Sequence, residues 1–178
     1  ALALACAPAS RCPGALNPAD QAVRTAELSG APLARAWALT RLGTAHADLG
    51  DAAQGRSLLT ESLKLARELG DVELEFASLN NLGSHLNWRS IGRAEASESA
   101  PQLFAAALAT LREAHALALK LGNPHSLTLV QVNLAWAWRE QGELAAASQA
   151  AEEAESLATA QGLDLLLIHA RIERALSL

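Results

Sequence analysis

Five histidines, two cysteines and a run of carboxylates are the residues of this chain that have chemistry to offer. Two zinc ligands on one helix face need a spacing such as His-Glu-x-x-His, and His46, His85, His115, His125 and His169 do not show it. They read as packing or surface histidines. Glu152, Glu153 and Glu155 have alanine neighbours and read as a solvated helix face, because a general acid–base pair needs burial or a perturbing neighbour to tune it. His85, Asp48 and Glu140 are the remaining titratable candidates for a groove, and no motif with a mechanism surrounds them. The Gly-x-Gly-x-x-Gly fingerprint, the Gly-Lys-Ser/Thr phosphate loop and the Gly-x-Ser-x-Gly elbow are all absent. The expectation is a protein that is not an enzyme, with no catalytic residues, no metal and no cofactor.

Charge excludes a further class. The formal net charge is −5, from 19 acidic and 14 basic residues spread along the chain, so the concentrated basic footprint of a nucleic-acid binder is missing. Cys6 and Cys12 do not make a disulfide framework and read as free thiols. No apolar run reaches the ~18 residues that span a bilayer, which leads to the expectation of a cytoplasmic protein with no membrane partner. Ala1 to Ser10 reads as a helix cut by a boundary, with the tail of a signal peptide as the alternative.

What must position any site is helical. The chain is 51% hydrophobic, rich in alanine and leucine, without tyrosine and with two phenylalanines, which favours an all-α core. Gly30, Gly70, Gly122 and Gly162 close stretches of like texture, AELSG, ARELG, ALKLG and ATAQG, at intervals of 40, 52 and 40 residues. That is a repeat with a 12-residue insertion in its middle unit. Twelve residues beyond the first three glycines stand Leu42, Leu82 and Leu134 in matching contexts, and the same count from Gly162 reaches Arg174.

A second break, at Gly50 and Gly142, divides a unit into two helices. Asp51, Asp71, Asn123 and Glu143 follow the glycines as candidate N-caps, and Asn17-Pro18 and Asn123-Pro124 mark helix starts. Apolar residues between these signals fall at helical spacing, as in Leu59, Leu63, Ala66 and Leu69. Gly55, Ala107 and Ala147 recur at one repeat position, where helices are expected to approach closely.

The stretch from Leu39 to Leu65, LTRLGTAHADLGDAAQGRSLLTESLKL, resembles the tetratricopeptide (TPR) repeat. Leu42-Gly43 stands early in the first helix, Gly50-Asp51 at the turn, then Gly55, Leu59 and Ser62; Leu134-Ala135, Gly142-Glu143, Ala147, Ala151 and Ala154 repeat the pattern. The departures are a 40-residue period where the family has about 34, Gln131 at a bulky position, and His46, Leu86 and Trp138 at a usual tyrosine position. They look like the longer bacterial variant found in regulatory proteins.

The resemblance implies one domain over 1–178, a right-handed α-α superhelix of antiparallel helix pairs. It comprises a half repeat at 17–30, repeats at 31–70, 71–122 and 123–162, and a partial repeat at 163–178. The insertion near 89–100, RSIGRAEASESA, reads as a mobile, functionally silent loop, with Arg89 and Arg93 as a possible clamp on an acidic ligand.

In that family the first helix of each pair lines a concave groove. The positions carried over are Thr40, Arg41, Thr44 and Asp48, then Asn80, Asn81, Ser84, Asn87 and Trp88, then Asn133, Trp136, Arg139 and Glu140. The partner-binding set expected from them is Arg41, Thr44, Asn80, Ser84, Asn87, Trp88, Asn133, Trp136 and Arg139. Side-chain amides and hydroxyls on one helix can pair with a peptide backbone, while a solvated face or gap filling is the bland alternative. The leading expectation is a protein- or peptide-binding module of a larger bacterial regulator. The alternative is a small-molecule-sensing arm that acts on a fused effector. A third expectation is a homodimer through the leucine-rich terminal helix, Leu165 to Leu178, with a missing downstream segment as the alternative cover for it.

Overall fold

The computed structural model describes residues 16–90 and 100–178, without the side chains of Leu16, Asn17, Trp88, Arg89, Ser90 and Ala100. The readings of Cys6, Cys12, Ala1 to Ser10, the inserted segment with Arg93, and the Trp88 and Arg89 side chains lie outside the described residues. Among those described there are eight helices and no strand: α1 (Leu16–Leu28), α2 (Pro32–Leu49), α3 (Ala52–Leu69), α4 (Val72–Ser90), α5 (Ala100–Leu121), α6 (Pro124–Glu140), α7 (Leu144–Gln161) and α8 (Asp164–Leu176). None of them is long and apolar enough to cross a membrane.

The punctuation of the sequence is what delimits these helices. Gly30, Gly50, Gly70, Gly122, Gly142 and Gly162 all have positive φ, a backbone state that costs a residue with a Cβ energy. At Gly50, Gly70 and Gly162 the glycine amide returns to carbonyls of the last turn, satisfying groups the helix end would orphan. α1 begins one residue before the expected cap, at Leu16 rather than after Asn17.

The caps that follow divide by side-chain length. Asp51 accepts from the Gln54 amide at 3.3 Å, Asp71 from the Leu74 amide at 2.8 Å, and Asn123 from the His125 amide at 3.0 Å. Glu143 makes no such bond, since its carboxylate stands one methylene further from the backbone than that of aspartate. Asn123→Ala is therefore expected to cost about 1 kcal/mol in a urea titration. Glu143→Ala is expected to stay within about 0.5 kcal/mol of the parent, as exposed substitutions do; equal losses would show that cap geometry does not decide the difference.

Consecutive helices pack against one another from α1 to α8. In the first unit Ser62 donates to the Ala36 carbonyl at 2.8 Å, while an added Cβ on Gly55 would meet the Ala47 amide at 2.9 Å. Numbers rise along α2 as they fall along α3, so the pair is antiparallel. The even-numbered helices also touch in series, α2 with α4, α4 with α6 and α6 with α8. They form one layer, with the odd-numbered helices between and outside them.

The core runs through the units. Leu63, Phe76, Leu79, Leu108, Leu111, Val130, Leu134 and Ala151 belong to one buried cluster drawn from five successive helices. Burial of this kind is what holds thin helix pairs that have little core of their own. Small residues set the crossings: Gly43 faces Leu59 and Gly55, and Gly83 faces Leu111. Gly43 meets Gly55, and the residues in register with them, Gly83 and Ala107, then Ala135 and Ala147, are buried like the first two.

An ion-pair clamp recurs at the same register. Arg35 on α2 reaches Glu27 on α1 at 3.0 Å and also Glu61 on α3. One period later the signs swap, and Arg67 on α3 reaches Glu75 on α4 at 2.8 Å and also Glu113 on α5. The hydrogen bonds that Arg35 donates to Glu27 and then to Glu61 hold its guanidinium above its ordinary pKa. Such exposed pairs add little stability singly, and their recurrence supports the register more than the strength.

Candidate binding face on the even-numbered helices

The even layer brings most of the sequence-derived set together, but it does so at different depths. Arg41 is exposed, and Thr44, Ser84, Asn133 and Arg139 are half-buried. Asn80, Asn87 and Trp136 are buried in the seams between helices rather than displayed on an open surface. Thr40 is buried too. Each inner even helix is flanked by two odd and two even neighbours, so the strip left to solvent is narrower than a two-faced helix supplies.

Hydrogen bonds cross the layer at one repeated position. Asn81, Asn133 and Glu173 occupy equivalent places on α4, α6 and α8, counting 52 and then 40 residues. Each is tied to the preceding even helix: Asn81 donates to the Thr44 hydroxyl at 3.4 Å, Asn133 to Oδ1 of Asn80 at 2.9 Å, and Arg139 donates to Glu173 at 2.8 Å. Arg41 holds the same position on α2, and no described even helix precedes it. Its guanidinium stays on the surface.

Polarity deepens at both ends of this layer. Thr40 and Ser62 hydroxyls lie 2.7 Å apart, and Ser78 joins them at 3.1 Å from Ser62, so three buried hydroxyls meet where α2, α3 and α4 join. At the other end Glu173, 2% exposed, lies against Arg139, which also reaches Glu140 at 2.6 Å. Burial disfavours the Arg139 charge, but the Glu173 hydrogen bond and both carboxylates outweigh it and hold the guanidinium above its ordinary pKa. Burial alone pushes the His169 imidazole below its usual value, and its Nδ1 has no hydrogen-bond partner.

The Ser84 hydroxyl makes no hydrogen bond, although its equivalent Thr44 donates to the Thr40 carbonyl at 2.9 Å. Arg41, three residues before Thr44, supplies an exposed cation. Trp138, which the sequence placed at the family's tyrosine position, packs half-buried under the Arg112 guanidinium, 4.9 Å from its ring centroid.

Sequence reasoning missed the buried hydroxyl trio and the Arg139–Glu173 pair. The signal for Glu173 was present, since it stands in register with Asn81 and Asn133. No group of three or more His, Cys, Asp or Glu side chains among the described residues is placed to hold a metal ion. The Gln131 amide joins His115 and Glu153 in a polar contact across α5, α6 and α7, an ordinary use of a buried amide. Comparison with known families finds no family model that matches this chain, and comparison with curated proteins finds no match.

Proposed function

We propose that the chain is a tetratricopeptide-type solenoid, a right-handed superhelix whose even-numbered helices line the concave side and bind a protein or peptide. The single observation that supports this most is the layer itself: equivalent positions on successive even helices carry the inter-helix links, with the Arg41 guanidinium exposed beside it. In this reading Arg41, Thr44 and Asn133 meet an extended acidic segment, and Asn80, Ser84, Asn87, Trp136 and Arg139 form the surface beneath it. A regulatory arm of a larger bacterial protein is the setting that the resemblance implies.

The test is selection of binders from a displayed library of random peptides. Acidic peptides are expected to be enriched, and Arg41→Glu is expected to weaken them about tenfold, the effect of losing roughly 1.4 kcal/mol. Enriched peptides that bind equally to Arg41→Glu and to Ser84→Trp would place the binding surface elsewhere and overturn the reading.

A further inference from the structure

His169 is an ionisable residue at a place that the repeat otherwise fills with apolar ones. Counting back 40, 52 and 40 residues from it gives Leu129 on α6, Ala77 on α4 and Trp37 on α2. On α8 the residue is 6% exposed, beside Ala170, which shares a buried cluster with Val132 of α6 and Ala154 of α7. These two helices are the seat on which α8 packs.

The seat offers no acceptor for a second ring proton. Nδ1 is buried and has no hydrogen-bond partner. A neutral ring meets this by carrying its proton on Nε2 and leaving only a lone pair at Nδ1. Imidazolium donates from both nitrogens, so protonation would strand an N–H there and bring a charge out of water as well.

The charged groups on the three helices are engaged with one another. On α6, Arg139 holds Glu140 at 2.6 Å and Glu173 of α8 at 2.8 Å. On α7, Glu155 accepts from Arg171 and Arg174 of α8 at 2.9 Å each, Glu152 lies 3.6 Å from Arg174, and Glu153 accepts from the Gln131 amide. His125, Glu143 and Asp164 stand exposed at the starts of these helices. None of them offsets the burial of the ring, which alone lowers the His169 pKa.

We infer that His169 is an acid-sensitive latch: neutral, it lets α8 rest on α6 and α7; protonated, it drives α8 away from them. The seated ring resists the proton and a released ring in water does not. Seating is therefore fully favoured above the ordinary histidine value and is lost as pH falls from there towards the lowered value of the seated ring. Glu173 lies one turn beyond His169 on the same helix, so release also takes its carboxylate from Arg139, which stays on α6. Acid thus frees that guanidinium from one of its two carboxylates. The latch is independent of what the even layer binds.

Hydrogen exchange read by mass spectrometry on the 178-residue chain, corrected for the intrinsic exchange rate, tests it. Between about pH 7.5 and about pH 5.5, opening of α8 is expected to rise by up to about tenfold per pH unit, the limit for one proton, while α3 keeps its protection. His169→Leu, which installs the residue of the equivalent α6 position, is expected to abolish the rise. Should it fail to fold, His169→Gln, uncharged at every pH, serves in its place. Wild-type α8 protection that ignores pH overturns the inference. So does a variant that keeps the wild-type response, which would assign it to the Arg139–Glu173 pair. Loss of protection in α3 together with α8 also overturns it, because that is general unfolding.

Discussion

Replacing Arg139 by methionine is expected to lower the melting temperature by about 10 °C, because a buried ion pair that loses one partner costs roughly 3–5 kcal/mol and a chain of this size loses about 2–4 °C per kcal/mol. The site decides which partner matters. Glu173 is 2% exposed and accepts its hydrogen bond from Arg139, so Arg139→Met strands a carboxylate away from water. Arg139 keeps Glu140 at 2.6 Å when Glu173 is lost, so Glu173→Leu is expected to cost much less. The double variant Arg139→Met with Glu173→Leu should recover most of the loss, since an apolar pair removes the desolvation cost of both charges. Thermal unfolding followed by circular dichroism reads all three. Equal losses in both single variants would mean that the carboxylate reaches water in another way.

Gly55→Ala is the second large effect, and its sign runs against helix propensity. An alanine in place of a helical glycine ordinarily gains about 1 kcal/mol. Here the added Cβ would stand 2.9 Å from both the Ala47 amide nitrogen and the Gly43 carbonyl oxygen, and backbone cannot turn aside as a side chain can. Helices α2 and α3 must separate, which loosens the Leu58 and Leu59 contacts, and overpacking of this kind costs roughly 1–3 kcal/mol. The net expectation is a loss of about 2 kcal/mol by chemical denaturation. Gly83→Ala is gentler, because its nearest neighbours are the Leu111 side-chain carbons at 2.7 and 2.8 Å, and adding Leu111→Val should relieve it. A stabilised Gly55→Ala would show that the crossing has room the geometry does not display.

How far the sequence reached can be read at particular residues. Helix boundaries were legible because they depend on local chemistry: a left-handed glycine followed by an aspartate or asparagine cap states where one helix stops and the next begins. The crossings were legible for the same reason, since Gly55, Ala107 and Ala147 recur in phase. Depth within the even layer was not. Asn80, Asn87 and Trp136 lie on the helix face that periodicity marks as polar or mixed, yet neighbouring even helices close over them. A helical wheel separates two faces, and a helix enclosed on several sides has little that is truly outward. The Arg139–Glu173 pair joins residues 34 apart on different helices, a relation that only the three-dimensional layer creates. Its acidic member was nonetheless in register with Asn81 and Asn133, so alignment of the units would have singled it out.

The three hydroxyls of Thr40, Ser62 and Ser78 bear on how the molecule responds to pulling. Sliding α4 along the α2–α3 pair by one turn would take the Ser78 hydroxyl away from both Thr40 and Ser62 in an oily setting, so that joint resists shear. Across the seam between α4 and α6 Asn133 donates to Asn80. Under tension applied along the layer, the segment from α2 to α4 would therefore behave as a rigid strut.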